Sequence, residues 1–316
     1  MNHKEIRPVS LEQFWSLLAQ HENDDTAGSR DRNVVVMRPD VAVIRHAMPK
    51  AVLTLFSQPI RLREMRVIII KRGWAEPVIN LLPRRCEAGD LIFVSSNSTA
   101  QVSRVSPEVA IEGFSVSDEL FRLAIAAFVP KAFDGHVRDF CLHTEPQERR
   151  FLSGLIRLLY RATLDANHET HVLRNLSAAF FWYVNNMWEK RQQDETRVQT
   201  HDARLFTDFI SLVNEHVRRR PTISFYASKL CLSPRYLSTL IKQVSGKSAK
   251  QWTDEALLTA IRVDLKHTDK AMKQIADELN FPNTSFFCKY FKRMTGLTPL
   301  AYRNGETTAA QTPETV

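Results

Sequence analysis

Residues 281–303 read FPNTSFFCKYFKRMTGLTPLAYR, and residues 232–252 read LSPRYLSTLIKQVSGKSAKQW. Setting Gly246 against Gly296 pairs Tyr236 with Phe286, Leu237 with Phe287, Leu240 with Tyr290, Ile241 with Phe291, Lys242 with Lys292 and Trp252 with Tyr302. The chain encodes one small helical unit twice.

In the first copy ISFYASKL (223–230) is a short helix and a second helix starts at Ser233. Ser233 is suited to cap it, and Pro234 falls at the first helical position, where a missing N–H costs nothing. Leu237, Leu240, Ile241 and Val244 recur at helical spacing as the inward face, and Gly246 supplies the left-handed residue that ends the helix. Arg235, Ser238, Thr239 and Lys242 form the opposite stripe, polar and spaced three and four apart, as a helix lying in a DNA groove requires. The second copy repeats this design. AMKQIADEL (271–279) is the supporting helix, with Ala276 and Leu279 placed like Ala227 and Leu230. Asn283 is the cap, Phe287, Tyr290, Phe291 and Met294 face inward, and Ser285, Cys288, Lys289 and Lys292 face outward. Leu232 pairs with Phe281 one position out of step with the glycines, so the second turn is one residue longer.

Each glycine is followed by a further helix start, Ser248 in one copy and Thr298-Pro299 in the other, leading to Trp252 and Tyr302 as anchors. DEALLTAIRVDLKH (254–267) joins the copies as one amphipathic helix, with Leu257, Ile261 and Leu265 on one face. A rigid connection of this kind lets two recognition helices enter successive major grooves roughly 34 Å apart.

The composition agrees with a polyanionic partner. The net charge is +8 over 316 residues, and the pI is about 9.4. Residues 201–316 carry 17 Lys and Arg against 11 Asp and Glu, whereas residues 1–200 carry 26 against 24. The excess charge thus concentrates where the repeat lies. A chain of this length suits two or more domains. Cys86, Cys141, Cys231 and Cys288 are scattered without a C-x-x-C pair and read as reduced thiols of a cytoplasmic protein. No run approaches the roughly 18 apolar residues of a membrane span, and no membrane partner is expected.

Residues 33–116 are rich in β-branched residues. VAVIRH (41–46), AVLTLF (51–56), EMRVIII (64–70), PVINLL (77–82), DLIFV (90–94), AQVSRV (100–105) and EVAIEGFSV (108–116) read as seven short strands of a small antiparallel barrel or sandwich. Ser117 is placed to cap a helix over 118–128, and further helices are expected over 147–163 and 171–191. The last of these holds AAFFWYVNNMW (178–188), an aromatic concentration suited to packing on the strands or to a subunit interface. The polar run 189–202 reads as a helix end plus linker.

Enzyme motifs are weak. His168-Glu169-Thr170-His171 places its histidines three apart rather than the four of the helical zinc motif. Within the strand region His46 is the one histidine, too few for a metal-holding barrel. Neither Cys86 nor Cys141 lies in a recognisable nucleophile motif, and there is no Gly-rich phosphate loop. No catalytic residue, metal or cofactor is assigned.

With these residues in place, 205–303 resembles the DNA-binding domain of the AraC/XylS family of bacterial transcription regulators. IADELNFPNTSFFCKYFKRMTGLTPLAYR follows the family signature nearly throughout. It departs at Asn280, where Gly is common; Asn also tolerates the left-handed conformation. The strand region and its AGDLIFV turn are similar to the family's cupin-like sensor domain. The resemblance implies an α+β protein: a cupin-like β-barrel over 1–145, a helical and dimerising segment over 146–200, a double helix-turn-helix over 201–305 and a disordered tail over 306–316. It implies a regulator, an activator by the family's commoner mode, controlled by an unidentified small-molecule effector. Its partners would be double-stranded DNA, RNA polymerase and a second copy of itself. The DNA-facing set is Ser233, Arg235, Tyr236, Ser238, Thr239, Lys242, Asn283, Thr284, Ser285, Lys289, Lys292 and Arg293. No effector-binding residue is assigned, although Arg61, Arg63, Arg66 and Trp74 lie on or beside the strands. The alternatives are a DNA-tethered enzyme with a catalytic barrel or reactive cysteine, and a barrel that binds nothing and serves only to dimerise.

Overall fold

The computed structural model describes residues 35–45, 50–125, 128–135, 138–165, 170–195, 201–219 and 222–305. His46, His168, Glu169 and the tail over 306–316 lie outside these. The chain divides into two compact units, one within residues 8–198 and one within 199–316.

Eleven strands are described in the first unit: β1 (Val35–Arg38), β2 (Val41–Ile44), β3 (Ile60–Arg61), β4 (Met65–Arg72), β5 (Trp74–Ile79), β6 (Leu82–Pro83), β7 (Cys86–Glu87), β8 (Asp90–Val94), β9 (Thr99–Val105), β10 (Ala110–Val116) and β11 (Asp139–His143). One antiparallel sheet runs β1-β2-β10-β4-β8-β11; the second runs β3-β9-β5-β6, with β7 paired to β5. The run VIII in β4 explains the arrangement. Val67 and Ile69 face one core together with Leu91, Phe93 and Phe114. Ile70, on the other face, joins Ile92, Val94 and Ile111 in a second core with Ile60, Ala75, Ile79 and Ala100 of the second sheet. A strand apolar on both faces needs a layer on each.

Helices α1 (Lys50–Phe56), α2 (Asp118–Ala124), α3 (Pro146–Leu164) and α4 (Thr170–Glu195) follow in chain order. The helices of this unit cover the first core, except α1, which packs in the second. Leu152, Ile156 and Leu159 of α3 and Phe180, Phe181 and Val184 of α4 are buried in the first core. Phe181 meets Phe121, Phe133 and Phe114 edge-on at 4.9, 5.1 and 5.8 Å between centroids, an arrangement that the ring quadrupoles favour. The aromatic run of α4 therefore packs on the sheet.

Several expectations change. The α+β class stands, but among the described residues no ladder joins the two sheets, so the barrel is a pair of stacked sheets. AVLTLF is not a strand: it lies in α1, where Val52 and Phe56, four apart, are buried on one face. Such a short apolar run fits either period. PVINLL is split between β5 and β6 by a hairpin turn at Asn80 and Leu81, both at positive φ (48° and 76°). Strand β11 went unread although Phe140 and Leu142 alternate as buried residues within it. Ser117 does cap α2, accepting from the Leu120 N–H at 3.1 Å, but that helix ends at Ala124.

The second unit is all-helical: α5 (His201–His216), α6 (Ile223–Lys229), α7 (Pro234–Ser245), α8 (Ala249–His267), α9 (Met272–Glu278), α10 (Thr284–Thr295) and α11 (Pro299–Arg303). Helix α8 runs unbroken between the two repeated units, capped by a reciprocal Ser248–Gln251 box. Its Asp264 is fully buried and pairs with Arg218 at 2.7 Å, which also lies 3.6 Å from Glu278. No helix among the described residues is long and apolar enough to cross a membrane.

Burial pushes the Asp264 carboxyl upward, with Arg218 opposing. Replacing Arg218 by Met leaves the buried carboxylate without its closest cation, so Arg218→Met is expected to lower stability by about 3–5 kcal/mol. The native state holds the Asp264 proton more tightly than the unfolded chain does. Without Arg218 that proton is held more tightly still, so the deficit should shrink as pH falls from the variant's Asp264 pKa to the wild type's, measured as urea midpoints over a pH series.

Candidate nucleic-acid interface

Each repeated unit is organised by the same chain reversal. After α6, the N–H of Leu232 returns to the Ala227 carbonyl at 2.8 Å and that of Cys231 to Ser228 at 3.2 Å. After α9, Phe281 returns to Ala276 at 2.9 Å and Asn280 to Asp277 at 3.1 Å. Both are Schellman closures, which need a left-handed residue at the pivot. Cys231 (φ 57°) and Asn280 (φ 52°) take that role, neither of them glycine. Asn280 also donates through Nδ2 to the Arg219 carbonyl at 3.1 Å. Ala227 and Ala276 are wholly buried, as small residues must be where two helices cross closely. The longer second turn is accounted for by Pro282, between Phe281 and the cap.

The caps are where the spacing predicts them. Ser233 Oγ accepts from the Tyr236 N–H at 3.2 Å, and Asn283 Oδ1 from the Phe286 N–H at 3.0 Å. Helices α7 and α10 end at Gly246 (φ 73°) and Gly296 (φ 78°). Leu237, Leu240, Ile241, Phe287 and Phe291 are buried. Phe287 and Tyr290 pack on Phe281, each at 5.4 Å, and Phe291 packs on Tyr302 at 5.4 Å. In the first copy Trp252 meets Phe206 at 5.5 Å and donates from Nε1 to Ser245 Oγ at 2.9 Å. Three inward assignments need correcting. Val244 is 39% exposed, and Tyr290 and Met294 are half-buried, because these positions lie at the edge of the narrow apolar stripe.

The opposite faces are open. Arg235, Tyr236, Ser238, Thr239 and Lys242 on α7 are exposed, as are Ser285, Lys289, Lys292 and Arg293 on α10; Thr284 and Cys288 are half-buried. Ser238 and Thr239 donate their hydroxyls back to the Pro234 and Arg235 carbonyls at 2.8 and 3.1 Å, which leaves oxygen lone pairs outward. Arg293 lies 5.5 Å over the Tyr290 ring. Among the described residues Arg235, Lys242, Lys289 and Lys292 enter no ion pair, whereas Lys247 pairs with Glu255 at 2.8 Å, Lys250 with Asp254 at 2.6 Å and Lys270 with Glu278. The two stripes are positive charge without local compensation. Sequence reasoning omitted Phe286, 59% exposed and paired in the repeat with Tyr236, 48% exposed. Its pairing with Tyr236 was the available signal. An aromatic residue on a recognition face can meet a thymine methyl.

Within the first unit, a cavity of about 90 Å³ is lined by Ile44, Val52, Phe56, Ile68, Val102 and Ile111 among others, together with Arg66 and Ser115. Arg66 is buried, 4.0 Å from Glu64 and 5.5 Å from the Phe56 ring. Desolvation pushes its pKa down to about 10, opposed by Glu64. Arg61 and Trp74 do not line this cavity.

A helix-turn-helix domain family model matches residues 226–305. A 120-residue stretch is 31% identical to the regulatory protein PocR of Salmonella typhimurium, covering 38% of this chain and 39% of PocR. Over residues 226–305 the chain carries a helix-turn-helix domain similar to that of AraC-type regulators. Over a longer span it is 21% identical to the transcriptional activator RhaS of Enterobacter sp. strain 638, covering 78% of this chain and 87% of RhaS. Among solved structures, apo ToxT from Vibrio cholerae aligns over 85% of this chain and 99% of its own, at 12% identity and a TM-score of 0.38. The chain spans well under half of PocR, and 26% of the Bacillus subtilis regulator YtdP.

The terminal glycine of α7 can be tested apart from any ligand. Nothing lies within 4 Å of a Cβ added at Gly246. Gly246→Ala should cost only the left-handed strain, about 1–2 kcal/mol, visible as a lower thermal midpoint with an unchanged helical spectrum.

Proposed function

We propose that this protein is a sequence-specific DNA-binding transcription regulator whose helices α7 and α10 occupy successive major grooves. The observation that carries the reading is the matched pair of uncompensated basic stripes at equivalent positions of the two copies. Arg235, Thr239, Ser285 and Lys289 lie towards base edges or adjacent phosphates, and Lys242, Lys292 and Arg293 towards phosphates. The caps Ser233 and Asn283, with Thr284 beside the second, bring helix N-termini to the backbone. Tyr236 and Ser238 complete the first contact face. The protein acts as an activator in the cytoplasm, as a homodimer that engages RNA polymerase.

Genome-wide occupancy should show discrete sites with two elements about one helical turn apart, lost in the Arg235→Ala/Lys289→Ala double variant. On such a site Lys289→Ala should weaken binding by about 1–3 kcal/mol and relax discrimination at one base pair. Lys292→Ala should weaken all sequences alike and reduce the salt slope by about one. Diffuse occupancy that the double variant leaves unchanged would sink this reading.

The effector proposed for the first unit is a small monocarboxylate with an apolar body. A cavity of about 90 Å³ admits about six to nine water-sized groups, at about 10–15 Å³ each. Its apolar lining suits a hydrocarbon, and the buried Arg66 guanidinium suits a carboxylate held by two parallel hydrogen bonds. Such a ligand regulates only by binding one arrangement of the chain better than another. Hexanoate should raise the thermal midpoint of the full chain and hexan-1-ol should not, and Arg66→Met should abolish the difference. Equal shifts from acid and alcohol would remove Arg66 from the site.

A further inference from the structure

Cys86 and Cys141 are 55 residues apart, yet their sulfurs lie 3.8 Å apart. They come from different sheets: Cys86 sits on β7, opposite Ala75 of β5, and Cys141 on β11, opposite Ile92 of β8. Asp90, at the start of β8, brings a third donor. Its carboxylate and the two sulfurs all lie within 4.8 Å of one another. Cys86 is fully buried, the Asp90 side chain is 15% exposed, and Cys141 is half-buried.

The surroundings hold these donors in place. Asp90 Oδ2 accepts from the Glu87 N–H at 2.8 Å. Asp90 Oδ1 lies 2.8 Å from Nδ1 of His143, the residue directly across the β8–β11 ladder. The sulfur separation is itself informative. A tetrahedral zinc ion with Zn–S bonds of about 2.3 Å places two thiolates about 3.8 Å apart. The two sulfurs are already at the spacing the ion would impose.

We infer that Cys86, Cys141 and Asp90 form a binding site for a thiophilic divalent cation of the zinc class, with two sulfur ligands, one carboxylate oxygen and a fourth position open towards solvent beside His143. Binding forms two metal–sulfur bonds and one metal–oxygen bond, and each thiol releases its proton to water. His143 is a positioning residue: it orients Asp90 and is not required as a ligand. The bound ion links the two sheets of the first unit at β7, β8 and β11, so it stabilises that unit in proportion to its loading. The inference is independent of the DNA-binding reading, since every donor lies in the first unit.

The test uses the full chain, reduced and stripped of metal, with Co²⁺ as the probe. One equivalent is expected to produce a thiolate-to-cobalt charge-transfer band that Zn²⁺ abolishes by displacement. Cys231→Ser/Cys288→Ser should keep the band, Cys141→Ser should lose it, and His143→Ala should weaken binding by about 10–100-fold. Because Cys86 is buried and Cys86→Ser risks misfolding, Asp90→Asn is the second site variant, expected to bind more weakly with the fold intact by circular dichroism. One equivalent of Zn²⁺ should also raise the thermal midpoint of the wild type and not of Cys141→Ser. A chain that develops no band at one equivalent, or whose band survives Cys141→Ser, overturns the proposal.

Discussion

The C-terminal unit depends on one backbone constraint: between each supporting helix and its recognition helix, a single residue must enter the left-handed region. Only then do the N–H groups of Leu232 and Phe281 return to the carbonyls of Ala227 and Ala276. That closure sets the angle at which α7 and α10 leave their supports. It is also why small residues occupy Ala227 and Ala276, since the helices meet there with no room for a longer side chain. The polar stripes face outward as a consequence, because the apolar stripes have been turned in. Helix α8, continuous from Ala249 to His267, carries the first repeat into the second.

The N-terminal unit follows another constraint, that of strands apolar on both faces. Strand β4 cannot lie at a surface with Val67 and Ile69 on one side and Ile70 on the other. Helices α3 and α4 cover one side and the second sheet covers the other. The layer between the sheets contains the Arg66 cavity, and the junction of β7, β8 and β11 contains the cysteine pair.

Legibility differed between the halves for a physical reason. In the second unit, caps, glycines, apolar spacing and anchors are local signals, and their repetition at a fixed offset made each copy a check on the other. The departures there are marginal: Val244, Tyr290 and Met294 sit at the rim of their stripe, where periodicity does not separate buried from half-buried. In the first unit the signals were shorter and ambiguous. AVLTLF suits a strand as well as one turn and a half of helix, and tertiary contacts of Val52 and Phe56 decide for the helix. Leu81 adopts a positive φ that nothing in its side chain favours.

By itself the sequence determined that the chain carries a duplicated helix-turn-helix with basic outward stripes, because helical period, capping and the left-handed terminator are properties of neighbouring residues. It also determined that the β-branched half would form an antiparallel α+β unit. Only the tertiary structure decided that the strands stack as two sheets, that the aromatic run of α4 packs on one of them, that Arg66 lines an apolar cavity, and that Cys86 meets Cys141. Those facts depend on strand order and on which face of each strand turns inward. Residues far apart in the chain are brought together by ladders whose pairing no local pattern encodes.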